Sequence, residues 1–146
     1  MQITTSLINN NESSEVIKLT QGDTKPYLVV SLIDETINTS NGVSSFSPLD
    51  VSDATVKFKI RSFGSNELID SVNCTLLPGL ENPDGTINFD PPYDLPGSGG
   101  RIMVVWTSQS LSVAGNLESE IEVTYNSDQS VQTAFNLIKL FVRPQY

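Results

Sequence analysis

The sequence contains no histidine. That absence removes the commonest general base, the Ser-His-Asp and Cys-His nucleophile systems, and the imidazole ligands of most zinc and iron sites. There is one cysteine, Cys74, so an intrachain disulfide is excluded. Cys74 falls inside an expected strand, Leu68 to Leu76, where a small packing or surface residue is expected and not a reactive thiol. Long apolar runs are also missing. None approaches the ~20 residues that cross a bilayer as a helix. Met1-Gln2-Ile3-Thr4-Thr5-Ser6 has neither the basic start nor the apolar core of a signal peptide. The expectation is a chain made in a cytoplasm, without a cleavable export signal and without membrane contact. Basic residues are scarce: 8 Lys and Arg stand against 17 Asp and Glu, a formal net charge of −9. A nucleic-acid-binding surface is cationic, so no nucleic-acid partner is expected. The charge instead favours solubility or a basic protein partner.

What remains is a chain of 146 residues, long enough for one domain with a real core, whose apolar fraction of 38% is low for a globular protein. Its clearest pattern is Leu117-Glu118-Ser119-Glu120-Ile121-Glu122-Val123-Thr124-Tyr125. Leu117, Ile121, Val123 and Tyr125 fall on one side of a two-residue period, and Glu118, Glu120, Glu122 and Thr124 on the other. That is a strand with one face buried and one in water. In the segment 54–61, Val56, Phe58 and Ile60 alternate with Lys57, Lys59 and Arg61. Three acids on one strand and three bases on another predict antiparallel neighbours with their charges paired on the outer surface. Val56, Phe58, Ile60, Val104, Trp106, Ile121 and Val123 are the expected core.

Further strands are expected at about 15–20, 26–32, 67–76, 86–89, 101–106 and 130–142, the last broken near Phe135-Asn136. Residues 1–14 read as a flexible polar arm carrying Ile3, Leu7 and Ile8. Residues 34–53 read as a long polar loop. Residues 108–114 suit one helical turn closed by Gly115. The segment 77–100 holds five of the eight prolines and five of the nine glycines, a composition incompatible with regular structure over most of its length. Strands at this spacing, without a helical period, predict an all-β, immunoglobulin-like antiparallel sandwich of seven to eight strands with long polar loops, residues 15–146 forming a single domain.

Candidate chemistry is sparse. Glu81, Asp84, Asp90 and Asp94 supply oxygen ligands of the kind calcium takes, but in no recognised loop spacing, so solvated acids are expected and no metal or other cofactor. Paired carboxylates for glycoside hydrolysis would need a cleft and apposed geometry that nothing in the sequence indicates. Gly97-Ser98-Gly99-Gly100 lacks the lysine and following helix of a phosphate loop and reads as a hinge. Trp106 suits burial, whereas Tyr93, between Pro92 and Asp94, and the nearby Leu95 suit a surface contact. The expected partner-binding residues are Ile3, Leu7, Ile8, Tyr93 and Leu95.

Three segments in order carry a resemblance: Leu19-Thr20-Gln21-Gly22-Asp23-Thr24-Lys25-Pro26, then 49–61 with its Ala54-Thr55-Val56-Lys57-Phe58-Lys59-Ile60-Arg61 strand, then Ala114-Gly115-Asn116 leading into 117–125. Together, with Trp106 in the strand before the glycine, this pattern resembles the N-terminal immunoglobulin-like domain of the upper baseplate protein of tailed bacteriophages. It covers roughly residues 15–142. The resemblance implies a non-enzymatic virion structural module that binds other virion proteins, oligomeric in the particle, in tail, baseplate or fibre attachment. Capsid decoration and a neck position remain open alternatives. A receptor- or glycan-binding module is the alternative of a different class.

Overall fold

The computed structural model describes residues 2–6, 16–37, 40, 42, 44–134 and 137–146. The strands are β1 (Gln2–Ser6), β2 (Ile17–Thr20), β3 (Leu28–Ile37), β4 (Ser44–Pro48), β5 (Ala54–Ser62), β6 (Leu68–Asn73), β7 (Thr75–Leu76), β8 (Leu80–Glu81), β9 (Ile87–Asn88), β10 (Arg101–Val104), β11 (Gly115–Tyr125), β12 (Val131–Thr133) and β13 (Ile138–Arg143). The first sheet runs β1-β3-β10-β7, with β4 also on β3. The second runs β2-β13-β11-β5-β6, with β12 also on β11. β8 and β9 form a separate hairpin. The two sheets stack as an all-β sandwich.

Alternation dictates the stacking. β5 and β13 bury every second side chain, and β11 does so from Leu117 to Val123. Their inward residues meet Leu28, Val30, Leu32, Ile102 and Val104 from the first sheet in one core. All seven residues expected in the core are buried. Trp106 packs edge-on against Phe58, ring centroids 5.8 Å apart at 72°, joining the two sheets. Its indole N–H donates to the Pro26 carbonyl at 2.7 Å, so the one polar atom of this ring is satisfied.

The expected pairing of β5 with β11 is present. They are antiparallel, with Arg61 opposite Glu118, Lys59 opposite Glu120 and Lys57 opposite Glu122. Two ion pairs form on the outer face: Arg61 Nη2 to Glu118 at 2.9 Å and, diagonally, Lys59 Nζ to Glu122 at 2.6 Å. In this half-exposed setting each contributes only about 0.2–1 kcal/mol.

Several expectations change. Residues 2–6, expected in a flexible arm, lie as β1 beside β3; residues 7–15, including Leu7 and Ile8, lie outside the described residues. β1 on β3 and β2 on β13 are parallel pairs, so the sandwich is not purely antiparallel. The loop expected over 34–53 is partly an extension of β3 returning as β4. Polar residues there still pair through their main chain, which a reading of side-chain polarity misses. The strand expected at 67–76 is divided: β6 pairs with β5 in the second sheet and β7 with β10 in the first. At the crossing, the Cys74 N–H donates to the Val56 carbonyl at 2.8 Å. Burial pushes the Cys74 thiol up to about 12, so it stays protonated and packs as an apolar group. The segment 108–114 is not helical but a turn, with Ser110 N–H donating to Thr107 O at 3.2 Å and Ser112 N–H to Gln109 O at 3.2 Å. Phe135 and Asn136, where a break in the last strand was expected, also lie outside the described residues.

Candidate interaction surface

The segment 77–100 leaves β7 at one end of the sandwich and returns to β10. Its five prolines remove backbone donors and limit φ, which prevents a long ladder. The backbone is held by specific bonds instead. The Leu77 N–H donates to Arg101 O at 2.9 Å, Gly79 N–H to Tyr93 O at 2.6 Å, and Gly97 N–H to Leu77 O at 2.9 Å. Val51 N–H donates to Gly97 O at 2.9 Å and Leu32 N–H to Gly100 O at 2.8 Å. The Ser98 hydroxyl is within 2.8 Å of both the Pro92 and Leu95 carbonyls. The Arg101 guanidinium donates to Pro78 O at 2.7 Å. Gly97, Ser98, Gly99 and Gly100 are all buried, so this stretch is a packed joint and not the hinge expected from its composition. Gly100 has φ +78°, and a Cβ there would strike the Leu32 carbonyl oxygen. Glycine is required at that position.

This scaffold presents two large apolar side chains to solvent. Phe89 and Leu95 are each 57% exposed. Asp90, Pro91, Pro92 and Asp94 between them are also exposed. Tyr93 is half-buried beside them, its N–H donating to Asp90 O at 2.8 Å. Four acids and no base lie within 77–100. A rigid, acidic loop with projecting apolar groups suits protein contact, because the ordering cost of about 1–2 kcal/mol per residue has been met within the fold.

Below the loop, a groove of about 420 Å³ separates the β8–β9 hairpin from β3 and β4. Ile33, Pro48 and Leu80 line it, and the Ser31 hydroxyl donates to Glu81 across it at 2.6 Å. Nearby, one Asp34 carboxylate oxygen is buried without a hydrogen-bond partner among the described residues. Burial, then the charges of Asp34 and Asp50, push the Tyr125 hydroxyl above its ordinary pKa, and that hydroxyl bonds to Gln132 at 2.9 Å.

The four loop acids do not converge. Glu81 is taken by Ser31, and Asp84 accepts from the Thr86 hydroxyl at 2.6 Å and the Thr86 N–H at 3.0 Å. Among the described residues, no group of three or more histidine, cysteine or carboxylate side chains could hold a metal ion.

Of the expected contact residues, Tyr93 and Leu95 share the loop, and Ile3 pairs with Val30 on the margin of the first sheet. Leu7 and Ile8 are outside the described residues. Phe89 was missed; the sequence placed it only at the end of the expected strand 86–89, which says nothing of its exposure. Phe63 and Phe141, exposed on the outer face of the second sheet, were missed too. Phe141 stands between Leu140 and Val142, both buried, and that alternation was the available signal for its outward direction.

Comparison with known proteins finds no matching family model and no matching curated protein. Among solved structures, the chain matches the N-terminal domain of phage TP901-1 ORF48, with a TM-score of 0.57 and 15% sequence identity. The match covers 98% of this chain and 99% of that one. At this identity the likeness is one of fold.

Proposed function

We propose that this chain is a non-catalytic structural module of a tailed-phage particle, serving tail, baseplate or fibre attachment by binding other virion proteins. The observation that carries this reading is the end-to-end correspondence of fold with a phage domain of the same extent. The step from fold to role is an analogy. The 77–100 loop supports it: Phe89 and Leu95 project from a backbone already fixed by hydrogen bonds, as a docking surface requires. The test is quantitative mass spectrometry of purified particles from a host producing the chain. The expected result is incorporation in a fixed ratio to the other tail proteins, reduced by the double change Phe89→Ser and Leu95→Ser. Absence of the chain from purified particles overturns the reading.

A further inference from the structure

The outer face of the second sheet carries an apolar and basic patch at the end where β5 stops. Two cross-strand rows build it. In one, Phe63 N–H bonds to Asn116 O, Asn116 pairs with Phe141, and Phe141 pairs with Lys18. In the other, Val16 and Lys139 line a shallow groove of about 200 Å³ together with Phe63. Phe63 is 70% exposed, Phe141 40% and Val16 39%. Arg143 closes β13 on the same face, and Lys25 stands in the turn before β3 at the same end. Neither Lys18 nor Lys139 forms a salt bridge among the described residues. Among the described residues, the acids close by include Glu118, opposite Lys139 but already bound to Arg61, and Asp23 and Glu67 on adjoining turns. In a chain of net charge −9, a face that gathers Lys18, Lys139 and Arg143 around exposed aromatics is complementary to something acidic and apolar.

The chain itself supplies such a surface. Its 77–100 loop places exposed Asp90 and Asp94 between exposed Phe89 and Leu95. Asp50, Asp53 and Asp128 lie on turns at the same end. The loop is anchored to Val51, just before β5 begins, whereas the patch lies where β5 finishes. Nine residues of strand separate them by about 30 Å. The two surfaces therefore cannot meet within one molecule, but the loop of one copy can reach the patch of the next.

We infer that copies of this chain associate head to tail, the acidic loop of one seating on the Lys18–Phe63–Lys139–Phe141 face of its neighbour. Such a contact is heterologous, so it closes into a ring or continues as a stack. This deepens the structural-module reading by naming one partner, a second copy, and it is tested without particles.

The experiment is sedimentation velocity on the purified full chain over a concentration series, at low and high salt. The wild-type chain is expected to assemble, and less so at high salt. The patch variant Lys18→Glu/Lys139→Glu and the loop variant Asp90→Lys/Asp94→Lys are each expected to weaken association by at least about tenfold. An equimolar mixture of the two is expected to restore it, because each supplies the surface the other has lost. Phe63→Ser, at a side chain mostly outside the core, is expected to weaken assembly without lowering the melting temperature. A wild-type chain that stays monomeric throughout overturns the inference. So does association unaffected by either charge reversal or by Phe63→Ser, or failure of the mixture to recover while both variants melt as the wild type does. Particle incorporation by a chain that never self-associates would sink this inference and leave the structural-module reading standing.

Discussion

At position 70 a single carboxylate closes the turn that follows Trp106. One Asp70 oxygen accepts from the Thr107 hydroxyl at 2.6 Å and the Ser110 hydroxyl at 2.7 Å; the other accepts from the Ser71 N–H at 2.9 Å. Burial opposes ionisation here, but the hydrogen bonds from Thr107, Ser110 and Ser71 outweigh it and hold the carboxyl below its ordinary value of 3.8. A depressed folded pKa means that the charged form is favoured by folding. The stabilisation is therefore fully present above the unfolded value and is lost as pH falls through the folded one. Asp70→Ala is expected to cost about 0.5–1.5 kcal/mol at neutral pH, at the modest end for a charged acceptor because solvent screens the site. The difference from wild type should shrink as pH falls below 3.8, measured by denaturant titration at several pH values. A difference that grows on acidification would show the sign to be wrong. Ser119 is a contrasting polar residue. It falls in the inward phase of β11, is 1% exposed, and its hydroxyl has no partner among the described residues.

Among the elements, Gly100 decides how the loop rejoins the sheet. Its φ of +78° is costly for any residue with a Cβ, and that Cβ would also meet backbone, which cannot swing aside. Gly64 has a nearly equal φ of +79° but open space around it. Both glycine-to-alanine changes carry the conformational strain, and only Gly100→Ala adds the clash. Gly100→Ala is expected to destabilise by about 1–3 kcal/mol and by clearly more than Gly64→Ala, in chemical denaturation. Equal effects would mean that the close approach to Leu32 is not a constraint. The same contrast explains what was legible in the sequence. β5 and β11 were readable because each is half-buried over many residues and their exposed faces carry opposite charge, so period and pairing agree. The division of 67–76 between two sheets was not, because Val72 pairs with the preceding strand β5 whereas Leu76 is claimed by β10, a strand that follows only after the whole 77–100 segment. The packed joint at Gly97–Gly100 read as a hinge, since composition reveals conformational freedom but not the neighbours that remove it. The surface of the 77–100 loop was partly legible, through the exposed Leu95 and the half-buried Tyr93. The face around Phe63 and Phe141 was not, because its members come from four separate segments.

Across the whole molecule, the two sheets are bound by more than face-to-face packing. The chain passes directly from β6 in the second sheet to β7 in the first, and the Cys74 N–H keeps its bond to β5 at the crossing. Trp106 extends from the β10 side of the first sheet onto Phe58 of the second. Separating the sheets would expose Phe58, Ile60, Leu117, Ile121 and Leu140, each at most 2% exposed in the fold, along with the facing residues of β3 and β10. Neither sheet retains a covered face alone, so no half of the sandwich has a core of its own. Unfolding should therefore be a single cooperative transition. Trp106 is the sole tryptophan, so its fluorescence reports the junction between the sheets, while far-ultraviolet circular dichroism reports the strands of both. The two signals are expected to share one midpoint and one slope in urea. A fluorescence change that precedes loss of the strand signal would show that the sheets part before they melt, and that the crossing at Cys74 does not couple them.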